Sequence, residues 1–283
     1  MDALSREEIR IAVEASLAED VGPGDVTTLA AVPEQAYATA VMSARETIIV
    51  AGLEFAMEAF RQLAPNIELV EQCADGDSLP PGASLLNVHG AARAILTAER
   101  VALNFVQRLS GVATLTRLYV DAVAGSKSKI LDTRKTTPGW RRFEKYAVSC
   151  GGATNHRFGL YDLILIKDNH LAALRNEKPN AIAAAVARAR ASYPDLKVEV
   201  EADTLEQVEQ ALAAGANIVL LDNMSTHDLR AAVQLAKGRA ALEASGGVKL
   251  DTVRAIAETG VDFISVGATT HSARAVDIGL DFK

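Results

Sequence analysis

The sequence predicts an α/β protein in which a βα barrel follows a smaller region of mixed helix and antiparallel strand. Three observations predict it. From Lys129 onward, short apolar runs, polar turns and amphipathic stretches repeat, the pattern of parallel strands joined by helices. The residues that end four of these runs, Glu201, Asp222, Ser245 and Gly267, follow one another at intervals of 21, 23 and 22 residues. Intervals this even, about one βα unit each, favour a closed barrel over an open sheet. With 283 residues, 49% of them hydrophobic, the chain can bury a large core.

Taken in order, Ser5-Arg-Glu-Glu8 is a capping box, and Ile9, Val13 and Leu17 follow at helical spacing, so a first helix runs to about Glu19. The turn-rich Gly22-Pro-Gly24 precedes alternating runs at Ala38–Ser43 and Ile48–Val50, then a helical stretch from Leu53 to Leu63. Another turn at Gly76–Gly82 leads into Ser84–Val88. The barrel strands are read at Ile130-Leu131, Leu163–Ile166, Val198–Val200, Ile218–Leu221, Ala241–Ala244 and Phe263–Val266. Six are visible where a complete barrel has eight, so a seventh is irregular or the barrel is incomplete.

The formal net charge is -7, which argues against a nucleic-acid or anionic-membrane surface. Against that balance, Arg134, Lys135, His156, Arg157 and Lys167 crowd into one stretch, the signature of a pocket for a small polyanion. Cys73 and Cys150 form no metal-ligand or disulfide spacing. The first residues lack the basic start and apolar run of a signal peptide, and no segment is long enough to span a bilayer. The expectation is a cytoplasmic protein.

In a βα barrel the strand ends converge on one face, which carries the active site. That face collects Arg134 and Lys135, Lys167, Glu201, Asp222, Ser245-Gly-Gly247 and Gly267. The two glycine-containing loops after the last strands suit a phosphate. Glu201 and Asp222 suit Mg²⁺, but act equally well as general acid and base or as ion-pair partners of Lys135 and Lys167. Arg134 and Arg157 suit bidentate pairing with carboxylates. Arg141, Arg142 and Lys145 read as the solvated face of the helix after Pro138, and Cys150 as a buried small residue rather than a nucleophile. Arg100 looks structural from its place in a helix.

Several longer motifs stand in order along the chain: Gly24-Asp-Val-Thr-Thr28, Leu96-Thr-Ala-Glu-Arg100, Asp132-Thr-Arg-Lys-Thr-Thr-Pro-Gly139, Asn155-His-Arg157, Ile166-Lys-Asp-Asn-His170, Glu243-Ala-Ser-Gly-Gly247 and Ser265-Val-Gly-Ala-Thr-Thr-His271. On these the chain resembles the quinolinate phosphoribosyltransferase family over nearly its full length. The resemblance implies an incomplete, seven-strand barrel (111–274) with an N-terminal α/β sandwich domain (1–110) that the segment 275–283 rejoins. It implies that quinolinate and 5-phosphoribosyl 1-pyrophosphate give nicotinate mononucleotide, pyrophosphate and CO₂, with Mg²⁺ required, in NAD biosynthesis. It also implies homodimers with shared active sites, hexamers being left open.

By the same resemblance, Arg134, His156, Arg157 and the partner subunit's Arg100 would grip the quinolinate carboxylates, with Thr133 and Lys167 beside them. Lys135, Glu201 and Asp222, with Ser245, Gly246, Gly247, Gly267 and His271 for the 5-phosphate, would take phosphoribosyl pyrophosphate. Glu201 and Asp222 would hold Mg²⁺, directly or through water, and Lys135 and Lys167 would share the catalytic work. One departure is Ala153, where many members carry glycine; it matters only if that backbone needs a positive φ. Three rival readings compete: a paralogue associated with molybdenum transport, a Schiff-base aldolase using Lys135 or Lys167, and a non-enzymatic phosphate sensor. The arginine cluster has no purpose in the aldolase, nor the Glu201 and Asp222 pair in the sensor.

Overall fold

The computed structural model describes residues 4–283. In chain order its elements are α1 (Arg6–Val21), α2 (Val26–Ala31), β1 (Tyr37–Ala44), β2 (Ile48–Ile49), α3 (Leu53–Leu63), β3 (Glu68–Glu71), β4 (Ser78–Leu79), β5 (Ser84–Ala91) and α4 (Ala92–Ala122). Then follow β6 (Lys129–Leu131), α5 (Arg141–Cys150), β7 (Ile164–Ile166), α6 (Asp168–Ala173), α7 (Ala181–Ser192), β8 (Val198–Ala202), α8 (Leu205–Ala214) and β9 (Ile218–Asp222). The last are α9 (Thr226–Ala236), β10 (Ala241–Ser245), α10 (Val253–Ala257), β11 (Phe263–Ser265), α11 (Ala268–His271) and β12 (Ile278–Phe282).

The chain divides into two compact units. The first takes in the residues up to Arg117, Arg142–Gly152 and Ser272–Lys283. Its sheet has the order β12-β1-β5-β3, all pairs antiparallel. Both halves of the capping box close on α1, with Glu8 N donating to Ser5 Oγ at 3.2 Å and Ser5 N to Glu8 Oε2 at 2.8 Å. Such a cap contributes about 1 kcal/mol. α3 buries Leu53, Phe55, Met57 and Phe60; Phe55 stacks on Phe105 at 4.8 Å and meets Phe143 edge-on at 5.1 Å.

α5 corrects one expectation. Its cations do not form a solvated face: Lys145 is fully buried, Arg142 Nε pairs with Glu8 Oε1 at 2.9 Å, and Arg141 donates to Thr136 Oγ1 and Phe158 O. The helix also buries Glu144, which Arg108 reaches at 2.7 Å. The period of its charges gave no sign of these partners, because they lie outside the helix, Glu8 and Arg108 far away in sequence.

The second unit, Leu118–Arg141 and Ala153–His271, is built on a six-stranded sheet of order β6-β11-β10-β9-β8-β7, parallel throughout. Beside β6, Thr154 forms one parallel bridge to Leu131, with Thr154 N bonded to Ile130 O and Asp132 N to Thr154 O. This is the irregular seventh strand, shrunk to a single bridge. Gly152 has φ 92°, whereas Ala153 is absent from the positive-φ residues, so alanine there carries no left-handed strain.

Strand alternation sorts the side chains of this sheet. In Val198-Glu-Val-Glu-Ala202 the valines share one face and the glutamates the other. β9 and β10 repeat the pattern, with Leu220, Asp222, Glu243 and Ser245 lining the same cavity as Glu201. The apolar residues between them, Val219, Leu221, Leu242 and Ala244, are buried on the opposite face.

Candidate active site

A cavity of about 650 Å³ opens among the C-terminal ends of these strands. The segment after β6 supplies Thr133, Arg134 and Lys135; the loop after Thr154 supplies His156 and Arg157. Lys167 follows β7, Glu201 lies in β8, Asp222 ends β9, and Ser245, Gly246 and Gly247 end and follow β10. Eleven residues expected from the sequence thus line one space. Gly267 is adjacent: a Cβ there would meet Lys135 Cδ at 3.2 Å and the His271 ring at 3.1 Å. Arg100 lies in α4, exposed, and belongs to the first unit.

Buried Asp132 aims the His156 loop. It accepts from Asn155 Nδ2 at 2.8 Å and from His156 N at 2.7 Å. Beyond this loop the two guanidinium groups approach: burial, then the Arg134 charge, lowers the pKa of Arg157. Arg134 Nε is buried without a hydrogen-bond partner. A donor in that state sits where an acceptor is wanted. Thr133 Oγ1 accepts from Lys135 N at 3.0 Å and turns the chain at the cavity edge.

On the opposite side, Lys167 Nζ pairs with Glu201 Oε2 at 3.0 Å, and Asn223 Nδ2 donates to Asp222 Oδ2 at 2.6 Å. Burial raises the Asp222 pKa, and the nearby Glu201 and Asp203 charges push the same way. Two carboxylates held close enough to repel are suited to a divalent cation. Gly246 is required twice over: its φ is 90°, and a Cβ would fall 2.1 Å from Asn223 Oδ1. Asn223 itself has φ 54°.

Below this rim lies a second tier that the sequence reading did not single out. Glu199 and Glu243 sit two residues before Glu201 and Ser245 on the same strand faces, hence about 7 Å deeper. Both are buried. His156 Nε2 stands 3.2 Å from Glu199 Oε2 and 3.4 Å from Glu243 Oε2, yet neither oxygen has an aligned hydrogen bond. Burial chiefly pushes Glu199 upward. Burial alone would lower His156, but the two carboxylates outweigh it and raise the imidazole to about 10. Arg157 N donates to His156 Nδ1 at 2.7 Å, so Nδ1 takes a second proton only by giving up that bond. Its Nε2 is the nitrogen that faces the two acids. The period-2 pattern of Val198–Ala202 carried the signal for this tier.

Neither cysteine shows nucleophile chemistry. Burial pushes Cys150 up to about 12 and Cys73 up to about 11, the reverse of an activated thiol.

The chain matches the model of the quinolinate phosphoribosyl transferase N-terminal domain over residues 25–110 and that of the C-terminal domain over residues 112–281. It is 44% identical over 278 residues to the nicotinate-nucleotide pyrophosphorylase (carboxylating) of Mycobacterium leprae, covering 96% of each chain. Against the probable enzyme of that name from Bacillus subtilis it is 43% identical over 264 residues, covering 93% of this chain and 89% of the other. The solved nicotinate-nucleotide pyrophosphorylase of Francisella tularensis superposes with a TM-score of 0.93 at 43% identity, over 99% of this chain and 98% of that one. With its sheet order, its cationic cavity and these matches in agreement, the chain belongs to the quinolinate phosphoribosyl transferase family.

Proposed function

We propose that the barrel cavity is where this pentosyltransferase joins quinolinate to C1 of 5-phosphoribosyl 1-pyrophosphate, giving nicotinate mononucleotide, pyrophosphate and CO₂ for NAD biosynthesis. The observation that carries the assignment is one cavity lined by Arg134, Arg157, Lys135 and Lys167 together with Glu201, Asp222 and the Gly246 turn. Such a lining offers cations for a dicarboxylate and, beside them, acidic and backbone groups for a ribose bearing phosphates.

In this reading Arg134, His156, Arg157 and the partner subunit's Arg100 hold the two quinolinate carboxylates, with Thr133 and Lys167 at the same end. Lys135 faces the pyrophosphate, Glu201 and Asp222 the ribose hydroxyls, and Ser245, Gly246, Gly247, Gly267 and His271 the 5-phosphate. The unpartnered Arg134 Nε supports the carboxylate assignment. Burial, with the Glu201 charge adding to it, raises Asp222, and this proximity supports Glu201 and Asp222 as the groups that would hold Mg²⁺. A divalent cation held by Glu201 and Asp222 would supply positive charge to favour departure of the pyrophosphate. The protein's own work is positioning: the cations keep the pyridine nitrogen on the far side of C1, and the carboxylates stabilise the positive charge that C1 gains.

The enzyme acts as a homodimer, in the cytoplasm. Among the described residues no helix is long and apolar enough to cross a membrane. Incubation with quinolinate, phosphoribosyl pyrophosphate and Mg²⁺ should release nicotinate mononucleotide and CO₂ in equal amounts. No product from protein shown to be folded would sink the assignment.

A further inference from the structure

The buried tier under the rim poses a physical problem. A pocket assembled from cations to take a dianion has no use, in binding, for two acids in its floor. Glu199 and Glu243 are buried, and a charge there acts through a medium that screens it weakly. Glu243 is the one that borders the cavity. Its Oε1 accepts from Ser265 Oγ, while its Oε2, 3.4 Å from His156 Nε2, has no aligned donor. One imidazole faces both carboxylates, so at most one of the two charges is offset, and what remains weakens the hold on any anion beside it. Such a cost is offset only if the anion loses its charge as the reaction proceeds.

One step of the reaction does that. After the pyridine nitrogen has bonded to C1 and pyrophosphate has left, the bond from ring carbon 2 to its carboxylate breaks. The electron pair stays on carbon 2 beside the positive nitrogen, CO₂ departs uncharged, and carbon 2 takes a proton from water. The neighbouring carboxylate on carbon 3 keeps its charge throughout.

We propose that Glu243, which shares His156 Nε2 with Glu199, places a buried negative charge beside the carbon-2 carboxylate and so drives its loss as CO₂. The cations then grip chiefly the retained carboxylate, and the acid pair tells the two apart. The inference rests on the quinolinate reading of the cavity and adds to it a group that favours the second chemical step over the ground state. His156 is held with Nε2 toward the acids, because Arg157 N donates to its other nitrogen.

The test is Glu243→Gln, which keeps the shape and removes the charge. In this variant the quinolinate KM falls about threefold or more while kcat falls about tenfold. Undecarboxylated quinolinate mononucleotide is released, and the ¹³C isotope effect on the leaving carboxylate rises. Glu243→Asp, with its charge one methylene further back, gives the same changes in smaller measure, so a Gln variant that fails to fold still leaves the inference testable. A merely structural role predicts instead a raised KM with an unchanged isotope effect, which overturns the proposal. So does one equivalent of Zn²⁺ or Mg²⁺ retained by the wild-type protein and lost with Glu243, because His156, Glu199 and Glu243 offer ligand atoms within 4.8 Å of one another and a cation there would cancel the charge. Wild-type protein inactive with quinolinate would refute the underlying function instead, and the two failures are told apart by that control.

Discussion

Asp132 shows how much of the site depends on a residue that touches no expected ligand. It is fully buried and holds the Asn155-His156 turn by two hydrogen bonds of 2.8 and 2.7 Å. Removing this acceptor leaves both donors without that partner in a place water does not reach. Asp132→Ala should therefore cost about 3 kcal/mol in urea unfolding, and kcat/KM for quinolinate should drop as His156 and Arg157 lose their aim. Unchanged stability together with unchanged kinetics would show that the loop is held by its other contacts alone. The importance of Asp132 was hard to see in the sequence, where it reads as the first polar residue after a short strand. Arg134 and Lys135 drew attention because charge stands out in an apolar context, whereas an acid whose partners lie over twenty residues ahead does not.

At the scale of elements, the strands and helices with clean periodicity were legible. α3 spans Leu53–Leu63 and β8 begins at Val198, as the apolar spacing indicates. The seventh strand was not legible, because a single bridge at Thr154 leaves no run of alternating residues to detect. The deep tier is a case between these. Reading β8 as a strand implies that Glu199 shares a face with Glu201, but knowing that the face points into a cavity takes the assembled sheet. The fate of the α5 cations follows from contacts outside the helix, such as Arg142 with Glu8, that its own period does not encode.

β12 pairs with β1 through five residue pairs, and the approach to it is clasped by Glu46. Glu46 Oε1 accepts from Arg274 Nη1 and Asp277 N, both at 2.8 Å, and Oε2 from Arg274 Nη2. The Arg274 bond, then that from Asp277 N, lowers the Glu46 carboxyl from 4.5 to about 2. Because the folded-state value is depressed, the stabilisation is present above about pH 4.5 and fades as pH falls toward 2. Wild type should exceed Glu46→Gln in urea stability at pH 6 by about 1 kcal/mol or less, since the clasp is partly solvated. The gap should narrow at pH 3; a gap that stays constant would argue against the ion pair as its cause.

For the whole molecule, an acidic chain of net charge -7 concentrates cations in one cavity of its barrel unit, so local field rather than net charge decides what binds. Arg100 stands outside that cavity in the first unit, and its proposed role requires delivery from a second copy. Arg100→Ala and Arg134→Ala should each be inactive alone. Mixed in equal amounts and allowed to exchange subunits, they should regain about a quarter of wild-type activity, because half the dimers are hybrid and each hybrid has one intact site of two. Exchange shown without regained activity would exclude the shared site.

The most direct test of the account is a crystal structure of the protein with quinolinate bound. The account predicts the pyridine ring in the barrel cavity, its carbon-3 carboxylate forked by Arg134 or Arg157 and the partner subunit's Arg100, and its nitrogen turned toward the space between Lys135, Glu201 and Asp222. Quinolinate bound elsewhere, or in this cavity with its nitrogen turned away from Glu201 and Asp222, would contradict it.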